Sequence, residues 1–461
     1  MERRRDYIDG VHDAKRLEEL RALPLERKIQ ISQARIIEWY KHWGGQVVVS
    51  FSGGKDSTVL LHLVRSIFPD VKAVFSNTGL EYPEIQRHVM GIENVDIVRP
   101  AMRFDEVIST YGYPLIGKEV AEAIYYARRI RSQSLNVERE RERTQVQQDG
   151  QPGATDRTTQ AERTYREPLH QRTMLQGKRL QSGYSGGVLQ DSESSRDTAA
   201  GWSERSSHRD KHCKEQTNSP DWKDGSRVRD RAGVGGKSQF NKEKWLPMVY
   251  TPFLISHLCC FRMKKSPMKM YQHKNHLYPI LGTLAEESRV RKQAWIRHGC
   301  NAFEGASPTS QPLSFWTEQD ILAYIVKYNL KIADVYGDIV SEVDGAEYPA
   351  MDMMGNVGCN LKCTGCQRTG CIFCGFGFHL EKGETRFQRL ARTHPKQYEY
   401  SIGGGQWVDN PAYDPTAPEM DGEWKNWNPK KIWVPSKKGL GMGKVFDLAN
   451  EIYGKDFYRY E

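Results

Sequence analysis

Short continuous runs of apolar residues alternate with stretches of helical spacing along the first hundred residues of the chain. Continuous runs are typical of buried strands, whereas apolar positions three and four residues apart are typical of amphipathic helices. The predicted strands are 46–51, 71–76 and 95–98, and the predicted helices are two within 11–43, one at 57–68 and one at 83–90. This alternation predicts an α/β fold with a doubly wound parallel sheet, whose ligands lie at the carboxyl ends of the strands.

The same alternation returns in the second half of the chain, with a strand at 278–282 and a helix that begins after Thr317. Asp320 stands three residues after Thr317, which is a variant of the capping box, and we expect this helix to run to about Tyr328. Trp316 is expected to anchor the core. The predicted regions are N-terminal helices (1–45), the first part of the α/β domain (46–127), a polar insertion (128–244), the second part of that domain (245–345), a cysteine-rich region (346–390) and a C-terminal extension (391–461).

Residues 128–244 interrupt the pattern with a long stretch rich in Arg, Lys, Ser, Gly, Gln and Asp. A segment with so few aliphatic residues cannot bury enough apolar area to offset the entropy lost on ordering. We therefore expect a largely disordered insertion, which either holds a nucleic acid by its phosphates or serves as a solvated spacer. Its cysteine, Cys213, is interpreted as an incidental thiol.

The formal net charge of +9 favours a polyanionic partner such as a nucleic acid, although solvated basic faces give the same excess. The chain has no apolar run of the roughly 18 residues that a membrane helix needs. Its N-terminus has no apolar segment of the kind found in secretory signals. We therefore expect no membrane span and a cytoplasmic location.

The sequence Ser-Phe-Ser-Gly-Gly-Lys-Asp-Ser, residues 50–57, joins the first predicted strand to the following helix. Gly53 and Gly54 allow φ > 0 and a close approach of backbone to ligand, and their N–H groups add to the positive end of the helix. Lys55 adds a charge, and Asp56 is placed to hold Mg²⁺. This arrangement predicts a site for a di- or triphosphate, with Lys55 and Asp56 as the catalytic residues. The residues expected to contact the nucleotide are Ser50, Phe51, Ser52, Gly53, Gly54 and Ser57.

SGGKDS resembles the PP-loop of the N-type ATP pyrophosphatases, whose fold is of the adenine nucleotide alpha hydrolase type, and it lacks the spacing of a Walker loop. GLGMGK, residues 439–444, also lacks that spacing. SNTGLEYPE, residues 76–84, is similar to the DTGxxFPE stretch of the phosphoadenylyl-sulfate (PAPS) and adenylyl-sulfate (APS) reductases, with Asn77 in place of Asp. The resemblance implies a PP-loop nucleotide-binding domain in which Asn77, Thr78 and Gly79 contact the nucleotide.

Two later segments extend this resemblance. Residues 282–288 resemble the GxRxxES segment of the same reductases, and PLSFWTEQDI, residues 312–321, matches their P-L-x-x-W-T signature. Leu284 stands where the family has an Arg, so other residues must supply the charge that faces the phosphates. The candidates for that charge are Arg289 and Arg291, and the resemblance implies Gly282 as a further nucleotide contact.

Nine cysteines are present, and five of them lie between residues 359 and 374. This density is typical of zinc or iron–sulfur ligation and not of a disulfide framework. An adjacent Cys-Cys pair and a later CxxC are similar to the ligands of the iron–sulfur APS reductases. The resemblance implies one [4Fe–4S] cluster, with Zn²⁺ as the alternative and with Arg262, Lys264 and Arg368 nearby to moderate its charge. The implied ligands are Cys259, Cys260, Cys371 and Cys374, with Cys366 as an alternative ligand.

Cys359, Cys363 and Cys366 also have the CxxxCxxC spacing of radical-SAM enzymes. That motif belongs near the start of a barrel, whereas this chain has the motifs of a PP-loop fold, so the assignment is disfavoured. The C-terminal extension interleaves lysines with tryptophans, which suits either base stacking or an arm wrapped over the core. The tryptophans in question are Trp407, Trp424, Trp427 and Trp433.

Three hypotheses follow for the function. The first is an enzyme that binds ATP or a PAPS- or APS-like nucleotide and transfers sulfur, similar to the enzymes of DNA phosphorothioation and tRNA thiolation. It would act on a nucleic acid and need a sulfur or electron donor protein. The second is a sulfonucleotide reductase, although no cysteine follows Cys374 to supply the nucleophile of the family's ECGxH tail. The third is a nucleotide- and nucleic-acid-binding regulator without catalysis.

Overall fold

The computed structural model describes residues 12–128, 242–416 and 427–461. The chain divides into two compact units, and the architecture below is that of the unit formed by residues 1–131 and 245–461. The predicted polar insertion, including Cys213, lies almost entirely outside the described residues, so the expectations for it stay predictions.

A six-stranded sheet lies at the centre of this unit, with the strand order β3-β2-β1-β5-β7-β6. The first five strands in that order are parallel, and β6 is antiparallel to β7. The order reverses between β1 and β5, which creates the crevice where ligands of doubly wound sheets bind. The predicted doubly wound sheet is therefore confirmed. Its strands are β1 (Val47–Phe51), β2 (Ala73–Ser76), β3 (Val95–Val98), β5 (Tyr278–Leu281), β6 (Asn301–Ala302) and β7 (Thr309–Ser310).

Helices pack around this sheet and bury β1, whose Val47, Val48 and Val49 are at most 4% exposed. Helix α3 begins at Lys55, two residues before the start of its apolar pattern, because polar residues form its first turn. The helices are α1 (Ala14–Arg21), α2 (Leu25–His42), α3 (Lys55–Arg65), α4 (Pro83–Met90), α5 (Phe104–Tyr111), α6 (118–128), α7 (Ser266–Lys274), α8 (Arg289–His298), α9 (Glu318–Lys327), α10 (Arg386–Thr393), α11 (Pro395–Ile402) and α12 (Met442–Tyr453).

The predicted start of α9 is confirmed. The Thr317 hydroxyl accepts a hydrogen bond from the Asp320 N–H, and the Asp320 carboxylate accepts one from the Thr317 N–H at 2.7 Å. Just before this cap, Trp316 is fully buried, and its indole N–H donates to the Ser32 hydroxyl at 2.9 Å. Trp316 is therefore a core anchor, as expected.

Smaller sheets surround the central one. A three-stranded antiparallel sheet has the order β10-β8-β9, and a parallel pair joins β4 to β11. A further antiparallel pair, β12 with β13, belongs to the C-terminal extension. These strands are β4 (Leu115–Ile116), β8 (Ile339–Val343), β9 (Ala346–Pro349), β10 (Leu361–Cys363), β11 (Gly375–Phe376), β12 (Gln406–Asp409) and β13 (Lys431–Val434).

The C-terminal extension packs as an arm against the rest of the unit. The Trp427 indole N–H donates to the carbonyl of Thr251 at 2.9 Å, and the backbone N–H of Trp433 donates to the carbonyl of Pro252 at 2.7 Å. Trp407 remains 45% exposed, and Trp424 lies outside the described residues. In the part of the chain that the structure describes, no helix has the length and apolar character needed to cross a membrane.

Replacing Trp316 by Ala should lower the free energy of unfolding by about 3–5 kcal/mol, because removing a fully buried indole leaves a cavity and deletes its hydrogen bond to the Ser32 hydroxyl. Trp407→Ala is the matched control, with an expected loss of about 1 kcal/mol or less. Urea unfolding followed by circular dichroism measures both. Equal losses in the two variants would show that Trp316 is not the core anchor described here.

Candidate functional site

The loop between β1 and α3 is shaped by glycines at positions that tolerate no side chain. Gly53 has φ +73°, and a Cβ there would lie 2.7 Å from the side chains of both Ile85 and Val89 on α4. Gly282, which follows β5, lies against the start of α3, where a Cβ would be 3.0 Å from the Asp56 carbonyl oxygen. Gly53 and Gly282 therefore serve close packing of the backbone, and access for a ligand at the glycines stays a prediction.

Hydroxyl groups fix the conformation of this loop. The Ser57 hydroxyl accepts from the Ser52 N–H at 3.2 Å and donates to the Gly54 carbonyl at 2.9 Å. At the carboxyl end of β1, the Ser50 hydroxyl is buried and has no hydrogen-bond partner among the described residues. Buried hydroxyls are normally paired, and contact of Ser50 with a ligand stays a prediction. Phe51, by contrast, is a buried core residue.

Lys55 is buried, and its ammonium group is paired inside the chain. The Nζ atom donates to the Gln367 carbonyl at 2.7 Å and lies 2.9 Å from the Glu318 carboxylate. Burial alone would lower the pKa of Lys55, but the neighbouring Asp56 and Glu318 carboxylates raise it, so the group stays charged. Burial raises the pKa of Asp56, an effect that Lys55 opposes.

The second predicted motif forms a tight turn beside this loop. The Asn77 side-chain oxygen accepts from the Gly79 N–H at 3.2 Å, and Gly79 has φ +72°. Thr78 donates to the Glu81 carboxylate twice, from its N–H at 3.1 Å and from its hydroxyl at 2.7 Å. The Asn that replaces the usual Asp thus stabilises the turn itself.

The basic residues of the site are only partly those expected. Arg291 pairs with Glu287 and is close enough to Asp56 for the two charges to interact. Arg289 lies exposed in the first turn of α8. Arg368, expected beside the cysteines, instead lies 3.9 Å from Glu287 and acts on Asp56, so that expectation was wrong. The positive charge at the loop therefore comes from Lys55, Arg291 and Arg368.

The four cysteines implied as ligands are close enough to act on one another. The Cys259 thiol is hydrogen-bonded to Cys260, which raises the pKa of Cys259 and lowers that of Cys260, and Cys371 and Cys374 raise the pKa of Cys259 further. Lys118 also hydrogen-bonds to Cys260. Four soft sulfur donors with a basic neighbour suit an iron–sulfur cluster or zinc. Within the described ranges, however, no three His, Cys, Asp or Glu side chains are arranged as ligands of a metal ion.

Cys366, the alternative ligand, has different neighbours. Its sulfur lies 3.9 Å from the Arg389 guanidinium and is hydrogen-bonded to the Tyr82 hydroxyl. Cys363 is buried next to it, whereas Cys359 is exposed. The structure thus brings together the Cys-Cys pair and the later CxxC, and it places Cys366 beside α10.

The loop and the thiols are in contact through the second motif. Lys264 lies 3.4 Å from Glu81 and is also hydrogen-bonded to Cys371. The backbone N–H of Ile372 donates to the Leu80 carbonyl at 2.8 Å. Glu81 lies inside the SNTGLEYPE motif and Glu318 inside PLSFWTEQDI, so both had a sequence signal, whereas the Gln367 carbonyl that pairs with Lys55 had none.

The parallel sheet, its reversal of strand order and the glycine loop at the start of α3 define a protein of the PP-loop class. Residues 46–115 and 230–375 match the sequence model of the phosphoadenosine phosphosulfate reductase domain. Over these residues, which are just under half of the chain, the sequence is similar to this domain, and the resemblance inferred from the nucleotide-binding motifs is confirmed.

Individual relatives match over shorter stretches. An adenosine 5'-phosphosulfate reductase of Bacillus velezensis is 26% identical over 97 residues, which are 20% of this chain and 42% of that protein. The reductase of the same name from Staphylococcus haemolyticus is 29% identical over 104 residues, 21% of this chain and 42% of that protein. An uncharacterized protein of Methanocaldococcus jannaschii is 40% identical over 73 residues, 15% of each chain. The chain thus spans less than half the length of these relatives.

Gly54→Val should abolish binding of ATP and of inorganic pyrophosphate without unfolding the chain. A Cβ at Gly54 would project among the Ser52, Tyr336 and Thr369 hydroxyls, on the side where a phosphate approaches the loop. Gly117→Val is the control, since a Cβ there has no neighbour within 4 Å. Isothermal titration calorimetry measures the affinities. Unchanged affinity in a folded Gly54→Val variant would show that the loop is not part of the nucleotide site.

Proposed function

We propose that this chain is a PP-loop enzyme that binds ATP or an adenylylated nucleotide at residues 50–57 and transfers sulfur beside an iron–sulfur cluster. The observation that supports it is the contact between the two sites. Lys264 joins Glu81 of the nucleotide motif to Cys371 of the thiol group, so the two proposed sites share one basic side chain.

The loop supplies the groups that a departing pyrophosphate requires. The N–H groups at the start of α3 and the Lys55 ammonium would stabilise the negative charge that develops on the leaving group. Asp56, in its charged form, would hold the Mg²⁺ that accompanies ATP. In this scheme an oxygen of the substrate attacks the α-phosphorus and pyrophosphate leaves. Hydrosulfide released by a donor protein then attacks the substrate atom that bears this oxygen, and the bond to the oxygen breaks as AMP leaves with it.

Cys259, Cys260, Cys371 and Cys374 would hold the cluster, which supplies either electron transfer or a site for sulfur, and Zn²⁺ is the alternative occupant. Lys118 and Lys264 would moderate its negative charge through their contacts with Cys260 and Cys371. Sulfur transfer to a nucleic acid is the form of the reaction that we favour, because the net charge of +9 suits a polyanionic substrate.

A sulfonucleotide reductase is the second candidate, because two relatives are named adenosine 5'-phosphosulfate reductase. The two reactions release different products, which gives a direct test with the anaerobically purified full-length chain. Release of pyrophosphate from ATP, dependent on an added acceptor, is expected for sulfur transfer. Release of sulfite from PAPS or APS with a dithiol donor would favour the reductase. Tight nucleotide binding with neither product would leave a regulator without catalysis.

Replacing Cys260 or Cys374 by Ser should lower the iron content from about four atoms per chain to below one and remove the visible absorbance of the cluster. Cys359→Ser should keep both, because that thiol is exposed and outside the group. Cys366→Ser should also keep its iron, since Cys366 lies with Arg389 and Tyr82. Iron analysis after anaerobic purification measures this.

Two results would contradict the assignment. Loss of iron in Cys366→Ser, with retention of iron in Cys374→Ser, would show that Cys366 and not Cys374 is the fourth ligand. A colourless wild-type protein with one zinc ion per chain would replace the cluster by a zinc site and remove the redox part of the proposal.

A further inference from the structure

The phosphate loop is covered by a segment from the cysteine-rich region. We call residues 363–369 together with Tyr336 the covering segment. Tyr336 is 2% exposed, and its hydroxyl accepts a hydrogen bond from the Lys55 N–H at 3.1 Å. The same hydroxyl is hydrogen-bonded to that of Thr369 at 2.6 Å. The Tyr336 hydroxyl thus accepts from a backbone N–H at the start of α3 that would otherwise donate to an anionic ligand.

The second phosphate-binding group of the loop is occupied as well. The Lys55 ammonium is held by the Gln367 carbonyl at 2.7 Å and by Glu318 at 2.9 Å. Gln367 is anchored in turn, because its side-chain amide donates to the Cys363 carbonyl at 2.5 Å. The covering segment therefore supplies hydrogen-bond acceptors for both the backbone N–H and the ammonium group of Lys55.

The space left under the covering segment is too small for a nucleotide. The cavity at the loop has a volume of about 90 Å³, and its lining includes Leu284, Glu287, Tyr336, Arg368 and Thr369. Pockets for ligands of this size occupy roughly 300–1,000 Å³. A nucleotide bound in this cavity would therefore need space that the covering segment fills in this structure.

Backbone hydrogen bonds join the two parts of the covering segment, residues 363–369 and the stretch around Tyr336. The N–H groups of Gly365 and Cys366 donate to the carbonyls of Tyr336 and Val335 at 2.8 and 2.9 Å. Gly365 makes this close approach possible, because a Cβ there would lie 2.5 Å from the Val335 carbonyl oxygen. The covering segment ends at Thr369, two residues before Cys371, so movement of the segment would also move the thiol group.

From these contacts we propose that the covering segment is an autoinhibitory latch, which a nucleotide or pyrophosphate must open by displacing the Tyr336 hydroxyl and releasing Lys55 from Gln367. The proposal rests on the proposed function, since it assumes that the loop binds a polyphosphate. Opening would couple occupation of the loop to the position of Cys366 and Cys371. Because only molecules with an open latch bind the ligand, the apparent affinity is the affinity of the open state multiplied by the fraction of molecules that are open.

Removing the latch contacts tests this directly in the full-length chain. Tyr336→Phe and Thr369→Val each delete a hydroxyl contact of the latch, so each should bind inorganic pyrophosphate about 3- to 10-fold more tightly than the wild type. Tyr348→Phe is the matched control, because Tyr348 is exposed on β9. Its affinity should be unchanged. Isothermal titration calorimetry with pyrophosphate and with Mg-ATP gives the values.

Hydrogen exchange of the wild type supplies an independent measurement. Pyrophosphate should slow exchange at residues 52–57 and accelerate it at 363–369, because the first segment gains a ligand while the second loses its contacts. Slower exchange in both segments, or weaker binding in Tyr336→Phe, would show that Tyr336 binds the ligand and would overturn the latch.

The two proposals fail in different ways. A wild type that binds pyrophosphate, with variants of unchanged affinity, overturns the latch and leaves the nucleotide site in place. Binding by Tyr336→Phe alone, with none by the wild type, would support the latch most strongly. No binding by the wild type or by any variant overturns both proposals.

Discussion

The buried ammonium group of Lys55 is the constraint on which the arrangement of the site depends. A charge removed from water must be paired, because an unpaired buried charge costs several kcal/mol or shifts its protonation state. The partners of Lys55 are Glu318 and the Gln367 carbonyl, and Gln367 is 312 residues away in sequence. Pairing one lysine therefore fixes both α9 and the cysteine-rich region against the sheet.

The same constraint explains why two kinds of chemistry lie together in this unit. Once the segment of Gln367 is held at the loop, the residues that follow it bring Cys371 and Cys374 beside Cys259 and Cys260. Lys264 then lies between a carboxylate of the nucleotide motif and a thiol. The proposed nucleotide site and the thiol group are thus joined by one basic side chain, which suits the proposed sulfur transfer to an activated substrate.

Much of the fold was predictable because local pattern and tertiary structure agree. The helix at 83–90 and the strand at 95–98 have the predicted bounds, and the cap of α9 was predicted from two residues. The covering of the loop was not predictable. Its main contact is made by the backbone carbonyl of Gln367, and a carbonyl is present in every residue type, so it leaves no signal in the sequence. Tyr336 lies in a stretch without a motif. Arg368 was misplaced because proximity to cysteines in sequence did not place it beside the thiol group.

Strands β1 and β5 are neighbours in the sheet, with Val47 opposite Tyr278, yet 231 residues separate them in sequence. The entropy of closing such a loop grows only with the logarithm of its length, so doubling the connection costs about 0.6 kcal/mol. The sheet thus tolerates long additions between α6 and β5. During synthesis, however, β1 is an open apolar edge until residue 281 has been made, and an open edge of this kind favours aggregation. The nascent chain therefore has the greatest need of chaperone protection while the middle of the sequence is being translated.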